Sequence, residues 1–203
     1  MKLCITPGSP YARIVRIVII EKGLEDRVEI IPAQTRKTDS PYYRINPSGR
    51  VPYLICDDGV GLEESAVICD YLDRLDGKPA FAWPPENEEW EARRLDALAR
   101  SMADGLAVWG RELGRPPHER SPTIILHEAH RAARLADVWE QEIDHTMMRS
   151  ELNLAQITLA CALGFSVRLP EFQWRAGHPK LAAWFDHMSA RPSIAATAPP
   201  VPK

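Results

Sequence analysis

Apolar positions along this chain follow two rhythms. Up to Pro79, short apolar runs alternate with helical stripes, whereas beyond Trp83-Pro84-Pro85 only three- and four-residue steps persist. In the first stretch Lys2-Leu3-Cys4-Ile5-Thr6 predicts a strand and Pro7-Gly8-Ser9-Pro10 a turn. Ile14, Val15, Ile17, Val18 and Ile20 predict a helix that Gly23 stops, because glycine takes the left-handed backbone of a helix exit without strain. Val28-Glu29-Ile30-Ile31 resumes a strand. Tyr53-Leu54-Ile55-Cys56 and Val60-Gly61-Leu62 flank Asp57-Asp58-Gly59, whose Asp-Gly signals a tight turn between antiparallel strands. Val67, Ile68, Tyr71, Leu72 and Leu75 then predict a helix starting near Ser65.

In the second stretch Leu95, Leu98, Met102, Leu106, Trp109 and Leu113 form one stripe, after an acidic helix start at Glu86, Glu88 and Glu89. Ile125, Ala129, Ala132, Ala136, Trp139, Ile143 and Met147 form another, so both helices should bury one face. Core packing accounts for Trp109 and Trp139, while the open end of such a helix pair could also wall a pocket for an apolar substrate. The element order of the first stretch is that of a thioredoxin-like α/β domain, assigned to residues 1–79, with an all-α helical domain over residues 86–203. A length of 203 residues suits two domains and leaves little room for more.

Charge and composition narrow the function. A net charge of −3 with both signs dispersed gives no basic face for counterion release, so nucleic acid is not expected as a partner. No apolar run approaches the ~20 residues of a membrane span, and Met1-Lys2-Leu3 opens straight into a strand, so a cytoplasmic protein is expected. Cys4, Cys56, Cys69 and Cys161 lie in apolar segments without a Cys-x-x-C pair, which favours buried reduced thiols. No metal site is expected: His127-Glu128-Ala129-His130 falls one residue short of the zinc-binding spacing and has no evident third ligand. Gly59-Val60-Gly61 belongs to the hairpin and lacks the third glycine of a dinucleotide loop. Ser9 and Ser48 lack the flanking glycines of a nucleophile elbow.

The candidate chemistry gathers around Arg50-Val51-Pro52 and Glu64-Ser65. A proline entering a strand removes a ladder donor and, if its peptide bond is cis, turns the preceding backbone toward an extended peptide. Ser65 stands where a helix exposes free N–H groups and its positive dipole end, which suits a carboxylate, and Glu64 supplies the opposite charge for an amine. Together they fit an amino-acid-like ligand end. Taken alone, the same residues also read as an N-cap serine beside a favourable first-turn acid.

Several motifs in order resemble the glutathione S-transferase family: Ser9-Pro10-Tyr11-Ala12-Arg13, Ile45-Asn46-Pro47-Ser48-Gly49-Arg50-Val51-Pro52, and Leu62-Glu63-Glu64-Ser65-Ala66-Val67-Ile68. Asn153-Leu154-Ala155-Gln156 resembles the family's buried capping box, with Leu152 and Ile157 as a possible staple, and His178-Pro179 through Arg191-Pro192-Ser193 resembles its last helix and exit. Gln156 replaces the usual Asp, and its amide is expected to accept the Asn153 backbone N–H with less charge assistance. A serine at the active-site position is similar to bacterial members and to the zeta- and theta-like classes. Ser9-Pro10-Tyr11-Ala12 occupies the place of a glutaredoxin's Cys-Pro-Tyr-Cys without either thiol, which disfavours dithiol redox chemistry.

The resemblance implies the glutathione S-transferase fold, glutathione as co-substrate without a metal, a small electrophilic second substrate, and a homodimer in which the first domain of one subunit faces the helical domain of the other. It implies Ser9 as hydrogen-bond donor to the glutathione thiolate, with Tyr11 as the competing donor. Val51 would hydrogen-bond the cysteinyl unit, Pro52 form a cis turn, Glu64 and Ser65 hold the γ-glutamyl end, and Arg50 reach the glycine carboxylate. Asp104 would approach the partner subunit's ligand. The second-substrate pocket would draw on Pro7, Gly8, Met102, Leu106 and Trp109, together with the proline-rich tail from Ala198 to Lys203. The transferase reading competes with a glutathione-dependent isomerase, dehalogenase or peroxidase, and with a binding protein of the same fold that performs no turnover.

Overall fold

The computed structural model describes residues 1–200 apart from Ala82, Pro85 and the side chain of Glu86. The last proline of Trp83-Pro84-Pro85, the Glu86 side chain of the acidic helix start, and Val201-Pro202-Lys203 of the tail therefore lie outside the described residues. The chain divides into two compact units, Met1–Ala82 and Trp83–Lys203. All five tyrosines fall in the first and all six tryptophans in the second.

The first unit carries β1 (Lys2–Ile5), α1 (Pro10–Glu21), β2 (Glu29–Pro32), β3 (Tyr53–Ile55), β4 (Gly61–Glu63) and α2 (Ser65–Arg74). One sheet runs in the order β2-β1-β3-β4, with β1 parallel to β2, and β3 antiparallel to both β1 and β4. Leu3, Cys4, Ile5 and Leu54 of the inner strands are buried, as are Ile14, Val15, Ile17, Val18 and Ile19 of α1. Ile20, counted in the expected stripe, is only half-buried, and Ile19 takes its place in the core. Gly23 ends α1 at φ 60°: its N–H donates to the Ile20 carbonyl at 3.0 Å, while the Leu24 N–H reaches the Ile19 carbonyl at 2.9 Å, the paired bonds of a Schellman exit. β2 begins one residue later than Val28 because the Val28 N–H still closes the turn onto the Leu24 carbonyl at 3.1 Å. Glycine 59 closes the hairpin at φ 86°, donating to the Cys56 carbonyl at 3.0 Å.

The second unit is helical: α3 (Glu86–Leu113), α4 (Pro122–Glu142), α5 (Thr146–Arg149), α6 (Leu154–Gly164), α7 (Pro179–Ser189) and α8 (Pro192–Ala196). Every residue of α6 is buried, and α3 packs against both α6 and α4. The second stripe does not run through one helix as expected. α4 stops at Glu142, and His145 caps the separate α5 that carries Met147, its ring nitrogen accepting the Met147 N–H at 3.2 Å. The Asn153 carboxamide oxygen caps α6 by accepting the Gln156 N–H at 3.1 Å. Gln156 does not return the bond to Asn153. Its amide nitrogen instead donates to the carbonyls of Met147 at 2.9 Å and Ser150 at 3.3 Å, a use open to an amide and closed to a carboxylate. The Glu140 carboxylate of α4 accepts the Lys180 and Leu181 N–H groups at 3.0 and 2.9 Å, so it satisfies the first turn of α7 from a neighbouring helix.

Candidate functional site

Antiparallel pairing brings three chain segments to one end of the sheet. Cys4 faces Tyr53 and Tyr53 faces Glu63, so the end of β1, the start of β3 and the end of β4 coincide. The residues just beyond those ends are Thr6 to Ser9, Val51-Pro52, and Glu64-Ser65. The β1–β3 and β3–β4 pairings thus assemble Ser9, Val51, Glu64 and Ser65 in one neighbourhood, joining segments about fifty residues apart in sequence.

Ser9 is the N-cap of α1. Its Oγ accepts the Ala12 N–H at 3.2 Å, which uses an oxygen lone pair and leaves the hydroxyl proton to donate elsewhere. Pro10 follows at the first helical position, where no N–H is needed. Tyr11 sits half-buried in the first turn, while Pro7 is exposed and Gly8 half-buried in the turn before it.

The Val51–Pro52 peptide is cis. The loop leading to it is held from within. The Arg50 carbonyl accepts from the Tyr42 hydroxyl at 2.5 Å and from the Asn46 amide at 3.1 Å, and the Arg50 N–H donates to Ser48 Oγ at 3.2 Å. Asn46 is buried, and its oxygen takes the Ser48 N–H at 3.0 Å. Its amide also reaches Glu63 Oε2 at 2.9 Å, and the Ser48 hydroxyl donates to the same oxygen. These donors hold the Glu63 carboxyl below the usual carboxylate range, Ser48 contributing most and Asn46 next. Burial pushes the Tyr42 phenol up to about 12, against the hydrogen bond with Asn46, so it stays a neutral donor. Among the described residues nothing in the chain hydrogen-bonds the Val51 backbone N–H or C=O. The side chain of Arg50 is exposed.

Glu64, not Ser65, is the N-cap of α2. Its Oε1 accepts the Ser65 N–H at 2.9 Å, and Ser65 is the first helical residue, fully buried. Glu64 is exposed yet holds φ 78°, a backbone conformation that long side chains rarely adopt. That geometry presents a carboxylate beside the positive end of α2, which suits a zwitterionic ligand head.

The remaining candidates belong to the second unit. Met102, Leu106 and Trp109 of α3 are buried, and the Trp109 ring packs on Phe172 with centroids 5.9 Å apart. Asp104 is exposed on the same helix. His127 and His130 are both exposed on α4. Of the residues that build the loop around Val51, Asn46, Ser48 and Glu63 lie within the family-like motifs of the sequence without a role there, and Tyr42 lies outside them. Asn-Pro-Ser-Gly was the available signal, since Asx turns favour those residues.

Family models match both parts of the chain: the glutathione S-transferase N-terminal domain over residues 8–75 and its C-terminal domain over residues 103–192. The chain is 31% identical to the uncharacterized GST-like protein YibF of Escherichia coli (strain K12), covering 98% of this chain and 99% of that protein. It is 26% identical to glutathione S-transferase 2 of Saccharomyces cerevisiae, over 93% of this chain and 85% of the relative. Among solved structures, a glutathione transferase family member of Pseudomonas fluorescens Pf-5 with bound glutathione superposes with a TM-score of 0.88 at 34% identity, covering 98% of this chain and 99% of that one. The same family member with bound S-(propanoic acid)-glutathione gives 0.86 at 35% identity, over 99% of this chain and all of the other. A near full-length relative above 30% identity, family models over both units, and a shared thioredoxin-like and helical architecture lead to one statement: this chain belongs to the glutathione S-transferase family.

Proposed function

We propose that the protein binds glutathione at the end of the first unit's sheet and stabilises its thiolate for attack on a small electrophile. The observation that carries this reading is the Val51 backbone, whose N–H and C=O hydrogen-bond to nothing among the described residues, at the same sheet end as a helix-capping serine and a carboxylate at a second helix start. In this reading Val51 pairs with the cysteinyl unit across an extended backbone, Glu64 takes the α-ammonium, and Ser65 with the end of α2 takes the α-carboxylate of the γ-glutamyl group. Arg50 reaches the glycine carboxylate. Asp104 of the partner subunit would approach the same ligand in a homodimer.

The sulfur then lies toward Ser9. Donation from the Ser9 hydroxyl and the positive end of α1 both favour the anion over the thiol. A hundredfold gain in thiolate requires about 2.7 kcal/mol, within reach of one charge-assisted hydrogen bond plus a helix end. The thiolate electron pair forms a carbon–sulfur bond; in substitution the leaving group departs with the pair it shared with that carbon, and in addition to an enone the displaced π pair becomes an enolate that takes a proton from water. Ser9 keeps its proton throughout and is not the nucleophile. Tyr11 is the other donor at that turn.

Ser9→Ala tests the assignment. Wild-type protein is expected to bind glutathione in calorimetry and to conjugate it to a chloronitrobenzene or an enone. The variant should keep glutathione affinity within about threefold while losing about 10²-fold in kcat. Its bound glutathione should also show a weaker thiolate absorbance at neutral pH. Failure of the wild type to bind glutathione or to accelerate any thiol addition would overturn the reading, and equal loss in Tyr11→Phe alone would move the donor to Tyr11.

A further inference from the structure

Two neighbouring acids end β4, and they have different partners. Glu64 turns to the start of α2, whereas Glu63 accepts from a loop far from it in sequence. We propose that Glu63 is a positioning residue, anchoring the Asn46–Arg50 turn so that the Val51 backbone stands ready for the ligand. The inference rests on the glutathione reading above and adds a residue to which that reading gave no role.

The chain of contacts is short. One oxygen, Glu63 Oε2, accepts both the Asn46 amide at 2.9 Å and the Ser48 hydroxyl. The Asn46 amide has two protons, and its second bond runs to the Arg50 carbonyl at 3.1 Å, the group directly preceding Val51. Ser48 in turn accepts the Arg50 N–H at 3.2 Å, so Glu63 holds a side chain on each face of the Arg50 backbone, the carbonyl being shared with the Tyr42 hydroxyl at 2.5 Å. Glu63 itself is fixed, because its backbone lies opposite Tyr53 in the β3–β4 ladder. The loop has little packing of its own: Ile45, Pro47, Ser48 and Arg50 are exposed, and only Asn46 is buried. A segment so built opens locally unless its polar contacts are kept. An anionic acceptor strengthens both bonds, although Glu63 is exposed and water moderates the gain.

Three variants test this in the full chain: Glu63→Ala, Glu63→Gln and Ser48→Ala. Glu63→Ala is expected to raise the glutathione Kd by calorimetry about three- to tenfold, and KM for glutathione with it, while kcat at saturating glutathione stays within about twofold. Glu63→Gln keeps a carbonyl oxygen for the same two donors and should return Kd to within about twofold of wild type; Ser48→Ala should fall between. Amide hydrogen exchange at Ser48, Gly49 and Arg50 should quicken in Glu63→Ala and not in Glu63→Gln. Unchanged Kd in Glu63→Ala, faster exchange with no change in Kd, or a Gln variant no better than Ala would each overturn the role. A wild type that binds no glutathione would instead overturn the functional reading, whatever the exchange pattern of the variants.

Discussion

Asn46 forms three hydrogen bonds through one buried carboxamide, accepting from Ser48 and donating to Arg50 and Glu63. Size alone would rate Asn46→Asp the gentlest change. Donor chemistry says otherwise, since a carboxylate cannot donate to the Arg50 carbonyl and would repel Glu63. Asn46→Asp is therefore expected to destabilise the protein by about 2 kcal/mol in urea titrations, at least as much as Asn46→Ala. Gly49 beside it has φ 68°, and a Cβ there would come within 2.6 Å of the Tyr43 ring, so Gly49→Ala should cost about 1–3 kcal/mol and weaken glutathione binding. At this scale the sequence was legible where chemistry is local. Ser9 as a helix start and Pro52 as a strand entry were readable from their neighbours. Glu63 was not, because its partners stand 15 and 17 residues away and its neighbour Glu64 offered the more obvious role.

Helices with continuous apolar stripes were legible to within a turn: α1 and α3 bury most of the face that the spacing marks, whereas α2 buries Ile68 and Leu72 of its stripe and leaves Val67 exposed. Periodicity failed at α4, where Ile143 and Met147 continue a four-residue step across a real break; the interruption is made by the polar His145 cap, which an apolar count does not see. The α5–α6 junction gives a direct test of the Gln156 finding. Gln156→Asp would restore the family's usual acid but remove two donors to carbonyls, so it is expected to lower stability by about 1–3 kcal/mol by thermal melting. His178 governs the α4–α7 contact. Burial pulls its pKa down, but the Asp137 bond at 3.0 Å, the Trp174 carbonyl at 2.6 Å and the charges of Asp137 and Glu140 prevail and raise it. A raised folded value means the protonated ring stabilises the fold below its unfolded pKa, and that support is lost as pH rises through the folded one. Wild type should exceed His178→Gln by about 0.5–1 kcal/mol more near pH 6 than near pH 9, a small figure because Asp137 is largely exposed.

Across the whole molecule, the two periodicities of the sequence meet at the Trp83-Pro84-Pro85 cluster, and the chain divides into the compact units Met1–Ala82 and Trp83–Lys203. The second substrate stayed illegible for a physical reason: apolar side chains such as Met102, Leu106 and Trp109 serve a core and a pocket wall equally well, and all three are buried. No helix among the described residues is long and apolar enough to cross a membrane. Glutathione at about a hundred times its Kd should raise the unfolding free energy by about 2.7 kcal/mol, read as a concentration-dependent rise in melting temperature; a flat response would exclude binding to the native state. The partition of aromatic side chains decides how such experiments can be watched. Indole emission reports only on Trp83–Lys203, whereas phenol absorbance reports only on Met1–Ala82, where Ser9, Val51 and Glu64 sit. The same division lets the melting of each half be recorded separately in a single unlabelled sample, by selective indole emission for one and the phenol bands of second-derivative absorbance for the other.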